Sequence, residues 1–155
     1  VGYNYGAKNM DRVKKIFILI LLWTAAVCLI FTAMFEIIPG VFIKLFGTDG
    51  ELYTNFASKC LKIYLSLITV TCLQKVCSIF LQSIGCAKAA APLSILRDVF
   101  LIVTSILVPI KWGITGIFWA APIADISAGA ITLIVMTGIW KKYIMKEKSR
   151  STTAE

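Results

Sequence analysis

Long apolar stretches alternate with short polar connections along this chain. Almost every residue between Ile16 and Ile38, and again between Val99 and Ile110, is apolar. About 20 apolar residues, each rising 1.5 Å along a helix, cross a hydrocarbon core of about 30 Å. The pattern therefore predicts an all-α integral membrane protein with four transmembrane helices, at about residues 16–38, 61–84, 92–110 and 114–140.

The two ends of the chain are polar. Residues 1–15 are expected to form a loop that leads into a helix near Asn9 or Asp11, and residues 141–155 are expected to form a basic tail. The chain opens at Val1 on a polar stretch, and no cleavable signal peptide is expected from it. We therefore expect a fragment whose N-terminal part is missing.

The connections around the second span carry local structural signals. Thr48 and Glu51 have the spacing of a capping box, in which the threonine hydroxyl and the glutamate carboxylate satisfy first-turn amides. This predicts one continuous helix from there to about Gln82. Residues 85–91, which are rich in alanine, are expected to form a tight connection to the third span.

The second span carries a single polar stripe on an otherwise apolar helix. Polar residues recur at steps of 7, 4, 3 and 4, which follow the helical period of 3.6: Tyr64, Thr71, Lys75, Ser78 and Gln82. In lipid, such a face must point at protein or at water. These five residues are therefore the candidates for lining a substrate path.

Charged side chains also fall at membrane depth: Lys75, Arg97, Asp98 and Asp125. A charge at the centre of a span costs about 2.5–3.5 kcal/mol on insertion scales. We therefore expect each of these side chains to pair with another group or to serve a function. If the second and third spans form a hairpin about Lys88, Lys75 and Asp98 are offset by about 4.5 Å along it. We predict that these two residues are neighbours. The four charges either fix helix packing or line a cavity that responds to an ion or a substrate.

Composition narrows the function classes. Of the 155 residues, 59% are hydrophobic and the mean hydropathy is +0.86, whereas soluble domains are about 45–50% apolar. The net charge of +8 is concentrated at the ends of apolar segments, which argues against a nucleic-acid partner. The chain has five cysteines but no CxxC pair and no histidine, so neither a metal site nor a cofactor is predicted. Because no nucleophile motif occurs either, we do not expect an enzyme.

The distribution of lysine and arginine predicts an orientation. Four spans place both ends of the chain on the same side of the bilayer. On that side, ten lysines and arginines flank the spans, and four do so on the other side. The positive-inside rule then places both ends in the cytoplasm, and we expect the protein in the plasma membrane.

Four segments together resemble the C-terminal portion of transporters of the multidrug and toxic compound extrusion (MATE) family. They are GYNYGAKNMDRVKK (2–15), FGTDGEL (46–52), FLQSIGCAKAAAPLSILRD (80–98) and GIFWAAPIAD (116–125). The segments occur in the family's order and with its spacing. The resemblance implies the last four helices of a twelve-helix transporter with two lobes, and it makes the missing N-terminal lobe a partner.

The resemblance also implies a function. It implies secondary active export of organic cations and drugs, driven by inward Na⁺ or H⁺ through alternating access. Some family members place an acidic coupling residue in the helix that corresponds to the second span, where this chain has Lys75, so the coupling ion stays open. The alternatives are a lipid-linked saccharide flippase of the wider superfamily and a self-contained four-helix membrane scaffold or subunit.

Overall fold

The fold is seen in a computed structural model, in which residues 1–44 and 50–141 are described. The described part of the chain forms seven helices and the short connections between them. In chain order the helices are α1 (Gly2–Gly6), α2 (Met10–Ile37), α3 (Pro39–Lys44), α4 (Glu51–Leu65), α5 (Ile68–Ser83), α6 (Ala87–Trp112) and α7 (Ile114–Ile139).

Four segments of the described chain have the length and composition to cross a bilayer. They are α2, the joined pair α4 and α5, α6 and α7, and their mean hydropathies lie between 1.6 and 2.7. The predicted four-span, all-helical membrane architecture is therefore confirmed.

The N-terminal segment is more helical than the sequence suggests. The loop predicted before α2 is wrong at Gly2–Gly6, which form α1, and α2 begins at Met10. Asn9 caps α2, since its side-chain oxygen accepts a hydrogen bond from the backbone N–H of Arg12 at 3.3 Å. The helix start near Asn9 is therefore as predicted, and the first turns of α2 precede the apolar stretch.

The second span consists of two helices, and the prediction of one continuous helix is wrong. The chain turns at Ser66 and Leu67, between the end of α4 and the start of α5. Neither proline nor glycine stands at this turn. Instead, the Ser66 hydroxyl donates a hydrogen bond to the Ile63 carbonyl oxygen at 2.8 Å. Such a local side-chain bond offers the backbone an alternative to the helical ladder.

The start of the second span also differs from the prediction. The N-cap of α4 is Gly50, which provides no side-chain hydrogen bond, and the helix begins at Glu51. Thr48, the predicted cap, lies outside the described residues, and so does the predicted basic tail from residue 142 onward.

The hairpin of α5 and α6 is tighter than predicted. Because α6 begins at Ala87, residues 84–86 alone connect the two helices, and most of the connection predicted over residues 85–91 belongs to α6. The next connection is a single residue, Gly113, with a φ of 61°. A residue with a side chain adopts this left-handed conformation only at a cost, which favours glycine at the α6–α7 turn.

The α7 helix is the most enclosed span and packs against α4, α5 and α6. Its ridge of small residues, Ala120, Ala124 and Ala128, is fully buried, each with 0% exposure. Small side chains let helix backbones approach closely inside a membrane. At Gly116 the backbones of α7 and α6 approach closely, and an added Cβ would lie 2.9 Å from the carbonyl oxygen of Val108 on α6.

An aromatic cluster joins α2 to the rest of the molecule near the α5–α6 turn, at the end of α7 away from Gly116. The rings of Phe17 on α2 and Phe80 on α5 lie with their centroids 4.1 Å apart, and Trp140 lies 5.6 Å from Phe17. Val13 and Leu81, both with 0% exposure, complete this part of the core. The polar residues of α5 and α6 lie between this cluster and the break after α4.

Candidate functional site

Four charged side chains from three helices form one continuous chain of ion pairs. Lys75 on α5 lies 3.9 Å from Asp98 on α6, measured from Nζ to Oδ2. The other carboxylate oxygen of Asp98 lies 3.7 Å from Nη1 of its neighbour Arg97. Arg97 in turn reaches Asp125 on α7 at 2.9 Å. The structure thus brings together all four predicted intramembrane charges, and we call them the charge chain.

The Arg97–Asp125 end of the charge chain is short and buried. The Nε–H of Arg97 donates a hydrogen bond to Oδ1 of Asp125 at 2.9 Å. The Asp125 side chain is 1% exposed and that of Arg97 is 18% exposed. Asp125 lies on the buried side of α7, where Ala124 and Ala128 are each 0% exposed.

The Lys75–Asp98 end is long and open. The two side chains are 43% and 57% exposed, and their closest charged atoms are 3.9 Å apart. Lys75 also donates a hydrogen bond from Nζ to the carbonyl oxygen of Ser94 at 2.7 Å, which holds it over α6. The predicted proximity of Lys75 and Asp98 is confirmed, and their role in a transport path stays a prediction.

The polar stripe of the second span meets α6 only in its middle part. Ser78 is 1% exposed, and its hydroxyl donates to the Ala90 carbonyl oxygen at 2.9 Å and pairs with the Ser94 hydroxyl. Thr71 has a buried hydroxyl oxygen without a hydrogen-bond partner among the described residues. Gln82 is exposed, one turn beyond this contact.

Tyr64 belongs to the other helix of the second span. The turn at Ser66 separates Tyr64, which lies near the end of α4, from Lys75 on α5. Tyr64 is 39% exposed and lies within electrostatic range of Arg97. The stripe therefore divides into a buried contact around Ser78 and exposed ends.

Gln74 is a polar residue of the site that the stripe did not include. It is 3% exposed, and its Nε2 donates a hydrogen bond to the Leu93 carbonyl oxygen at 3.1 Å. Its Oε1 has no hydrogen-bond partner among the described residues. The signal was present in the sequence, because Gln74 and Ser78 are four residues apart and so share one helix face.

An apolar groove lies beside the charge chain, between α5 and α7. Its volume is about 410 Å³, and Gln74 and Thr132 are the polar residues among those that line it. The remaining lining residues are Val70, Leu73, Cys77, Ile126, Gly129, Ala130 and Leu133. A groove of this kind accepts apolar groups, and two of its lining residues, Gln74 and Ile126, are sequence neighbours of Lys75 and Asp125.

Within the described residues, no group of three or more histidine, cysteine, aspartate or glutamate side chains is placed to hold a metal ion. The charges of the site compensate one another instead, because two lysine or arginine cations face two carboxylates. The Asp98 carboxylate is 57% exposed and that of Asp125 is 1% exposed, so another charged group has access only to the Asp98 end of the charge chain.

Comparison with known proteins identifies the family. The MatE family model matches residues 1–107, which is more than half of the chain. No curated protein and no solved structure matches the chain. The chain therefore belongs to the MatE family of membrane transporters, as the four sequence segments indicated.

Proposed function

We propose that this chain forms part of a secondary active exporter of organic cations and other xenobiotics, driven by antiport of Na⁺ or H⁺. The observation that carries the proposal is the open end of the charge chain, at mid-span in a member of a transporter family. An ionised carboxylate and a lysine that are both substantially exposed within a span need water or substrate beside them.

The geometry suggests how an ion would act at this end. With all four groups ionised, the charges of Lys75 and Arg97 balance those of Asp98 and Asp125. A proton or Na⁺ on Asp98 would weaken its contact with Lys75 and leave the site with one net positive charge. Repulsion would then favour release of a cationic substrate, which is the coupling that antiport requires. The neighbouring apolar groove supports binding of the apolar part of such a substrate.

We also propose where this chain lies in a larger transporter and how it is oriented in the membrane. By its family resemblance, it would form the last four helices of a twelve-helix transporter and pair with an N-terminal lobe of the same protein. Both of its ends would lie in the cytoplasm and the protein in the plasma membrane, because ten lysines and arginines flank the spans on that side against four on the other.

Export of an organic cation tests this function. Ethidium efflux from cells that express the intact transporter should require an imposed Na⁺ or H⁺ gradient. Lys75→Ala should slow efflux about tenfold, the change that roughly 1.4 kcal/mol produces, at an unchanged amount of protein in the membrane. Lys59→Ala is the matched control, because Lys59 is exposed on α4. Equal efflux by Lys75→Ala and the parent protein would refute a transport role for the open end.

A lipid-linked saccharide flippase is the second candidate. The placement of Lys75 and Arg97 on either side of Asp98 favours it, since two neighbouring cations suit a pyrophosphate group. The same preparation distinguishes the two functions. Transfer of a lipid-linked saccharide across vesicles, without ethidium efflux, would support the flippase.

A further inference from the structure

Helices α2 and α5 pack against each other in opposite directions along a register that the structure fixes at two points. At one end, the rings of Phe17 and Phe80 lie 4.1 Å apart. Further along, the hydroxyl oxygens of Thr32 and Thr69 lie 3.4 Å apart. As the residue number rises along α2, it falls along α5. Positions between these two contacts are therefore opposed in pairs.

A pair of cysteines occupies this register. Cys28 precedes Thr32 by one turn of α2, and Cys72 follows Thr69 by about one turn of α5. The register sets these two residues opposite each other, and their thiols lie within electrostatic range of each other. Both residues are partly exposed rather than enclosed. Two thiols thus meet across a helix interface at a place that a small lipid-soluble molecule can reach.

The surroundings of the pair determine which ligands it can accept. Both cysteines lie within membrane-spanning segments, and the Cys72 thiol is within electrostatic range of the Asp125 carboxylate. A monovalent cation held by two thiolates would form a complex with a net negative charge in these surroundings, which would be costly. A ligand that forms a neutral product with two thiols is favoured instead.

We infer that Cys28 and Cys72 form a two-thiol site for trivalent organoarsenicals. The arsenic atom of an arsine oxide, R–As=O, forms one bond to each sulfur. The As=O bond is lost, and the oxygen leaves as one water with the two thiol protons. Arsenic stays trivalent, so no oxidant or reductant is needed, and the product is neutral. The site lies outside the charge chain, and its existence does not depend on the proposed export function.

Intact-mass analysis of the full chain in lipid vesicles tests the site with phenylarsine oxide. We expect one adduct per chain, with the mass of the reagent minus one water, and loss of two of the five thiols from labelling by a membrane-permeant maleimide. Cys28→Ser and Cys72→Ser should each abolish the adduct. Cys60→Ser, Cys77→Ser and Cys86→Ser are matched controls that should retain it. The dithiol 2,3-dimercaptopropanol should reverse it.

Two results would contradict the assignment of the arsenical site to Cys28 and Cys72. An adduct that survives in Cys28→Ser or Cys72→Ser, or no adduct in the parent chain, excludes this pair. Cys28→Ala and Cys72→Ala serve as second variants, and far-ultraviolet circular dichroism shows whether each variant keeps its helices. Loss of the adduct in a variant with parent helicity supports the site, whatever the outcome of the efflux experiments.

Discussion

Each end of the charge chain pairs a basic residue with an aspartate, but one pair is short and buried and the other is long and exposed. At one end, Arg97 and Asp125 are joined by a hydrogen bond of 2.9 Å, and the carboxylate is 1% exposed. At the other, Lys75 and Asp98 approach only to 3.9 Å and are 43% and 57% exposed. Both pairs link α6 to a neighbouring span, and the consecutive residues Arg97 and Asp98 join the pairs to each other.

The difference separates a packing role from a candidate for ion exchange. A buried pair is costly to break, because removing one partner leaves an uncompensated charge inside the protein. An exposed pair contributes little to stability, since water competes for both charges. We therefore expect Arg97 and Asp125 to hold α7 against α6, and Lys75 and Asp98 to be free to change partners during transport.

The largest effect is expected from breaking the buried end. Arg97→Met leaves the Asp125 carboxylate buried without its hydrogen-bond donor, and the free energy of unfolding should fall by about 3–5 kcal/mol. Unfolding by sodium dodecyl sulfate in mixed micelles, followed by tryptophan fluorescence, measures the change. The double variant Arg97→Met with Asp125→Leu should recover most of the loss, because it removes both charges.

Lys59→Met is the control for this experiment, since Lys59 is exposed and its replacement should change stability by less than about 0.5 kcal/mol. If Arg97→Met destabilises no more than Lys59→Met does, the two ends of the charge chain do not differ in the way described above.

Part of this arrangement could be predicted from the sequence. The four spans follow from uninterrupted apolar stretches, and the meeting of Lys75 and Asp98 follows from their distances to the hairpin turn. The burial of Ala120, Ala124 and Ala128 agrees with their four-residue spacing on one helix face. These features depend on helical periodicity and chain length alone, which is why a single sequence contains them.

Other features depend on three-dimensional context. The turn at Ser66 lacks proline and glycine, and it results from a local hydroxyl bond that serines in intact helices also make. Arg97 forms its hydrogen bond with Asp125 because of the way α7 is rotated about its axis relative to α6. The helical periodicity of the sequence does not determine that rotation. The spacing of Gln74 and Ser78 indicates a shared helix face, but the hydrogen bond from Gln74 to the Leu93 carbonyl oxygen depends on the position of α6.

An intermediate effect is expected from pushing α7 away from α6. In Gly116→Ala, the new methyl group would lie 2.9 Å from the Val108 carbonyl oxygen and 3.0 Å from Pro109, and these are backbone atoms that cannot rotate away. The free energy of unfolding should fall by about 1–3 kcal/mol, as for other overpacked sites. The same micellar unfolding experiment measures it.

Gly138→Ala provides the matched control, because an added Cβ there meets no atom within 4 Å and Gly138 lies on the same helix. It should be neutral or slightly stabilising, since alanine favours a helix by up to about 1 kcal/mol over glycine. Equal stability of the two alanine variants would show that the α6–α7 contact is looser than the distances indicate.

The smallest effect on stability is expected at the open end. A double-mutant cycle of Lys75→Met and Asp98→Asn should give a coupling energy of only about 0.2–1 kcal/mol, because both side chains are substantially exposed and 3.9 Å apart. A coupling energy above about 2 kcal/mol would instead mean that Lys75 and Asp98 contribute to stability as a buried ion pair does. Small coupling together with slowed ethidium efflux in both single variants would mean that the pair matters for transport and not for folding. That combination is the pattern expected of charges that must separate in each transport cycle, since a pair that is hard to break could not exchange ions.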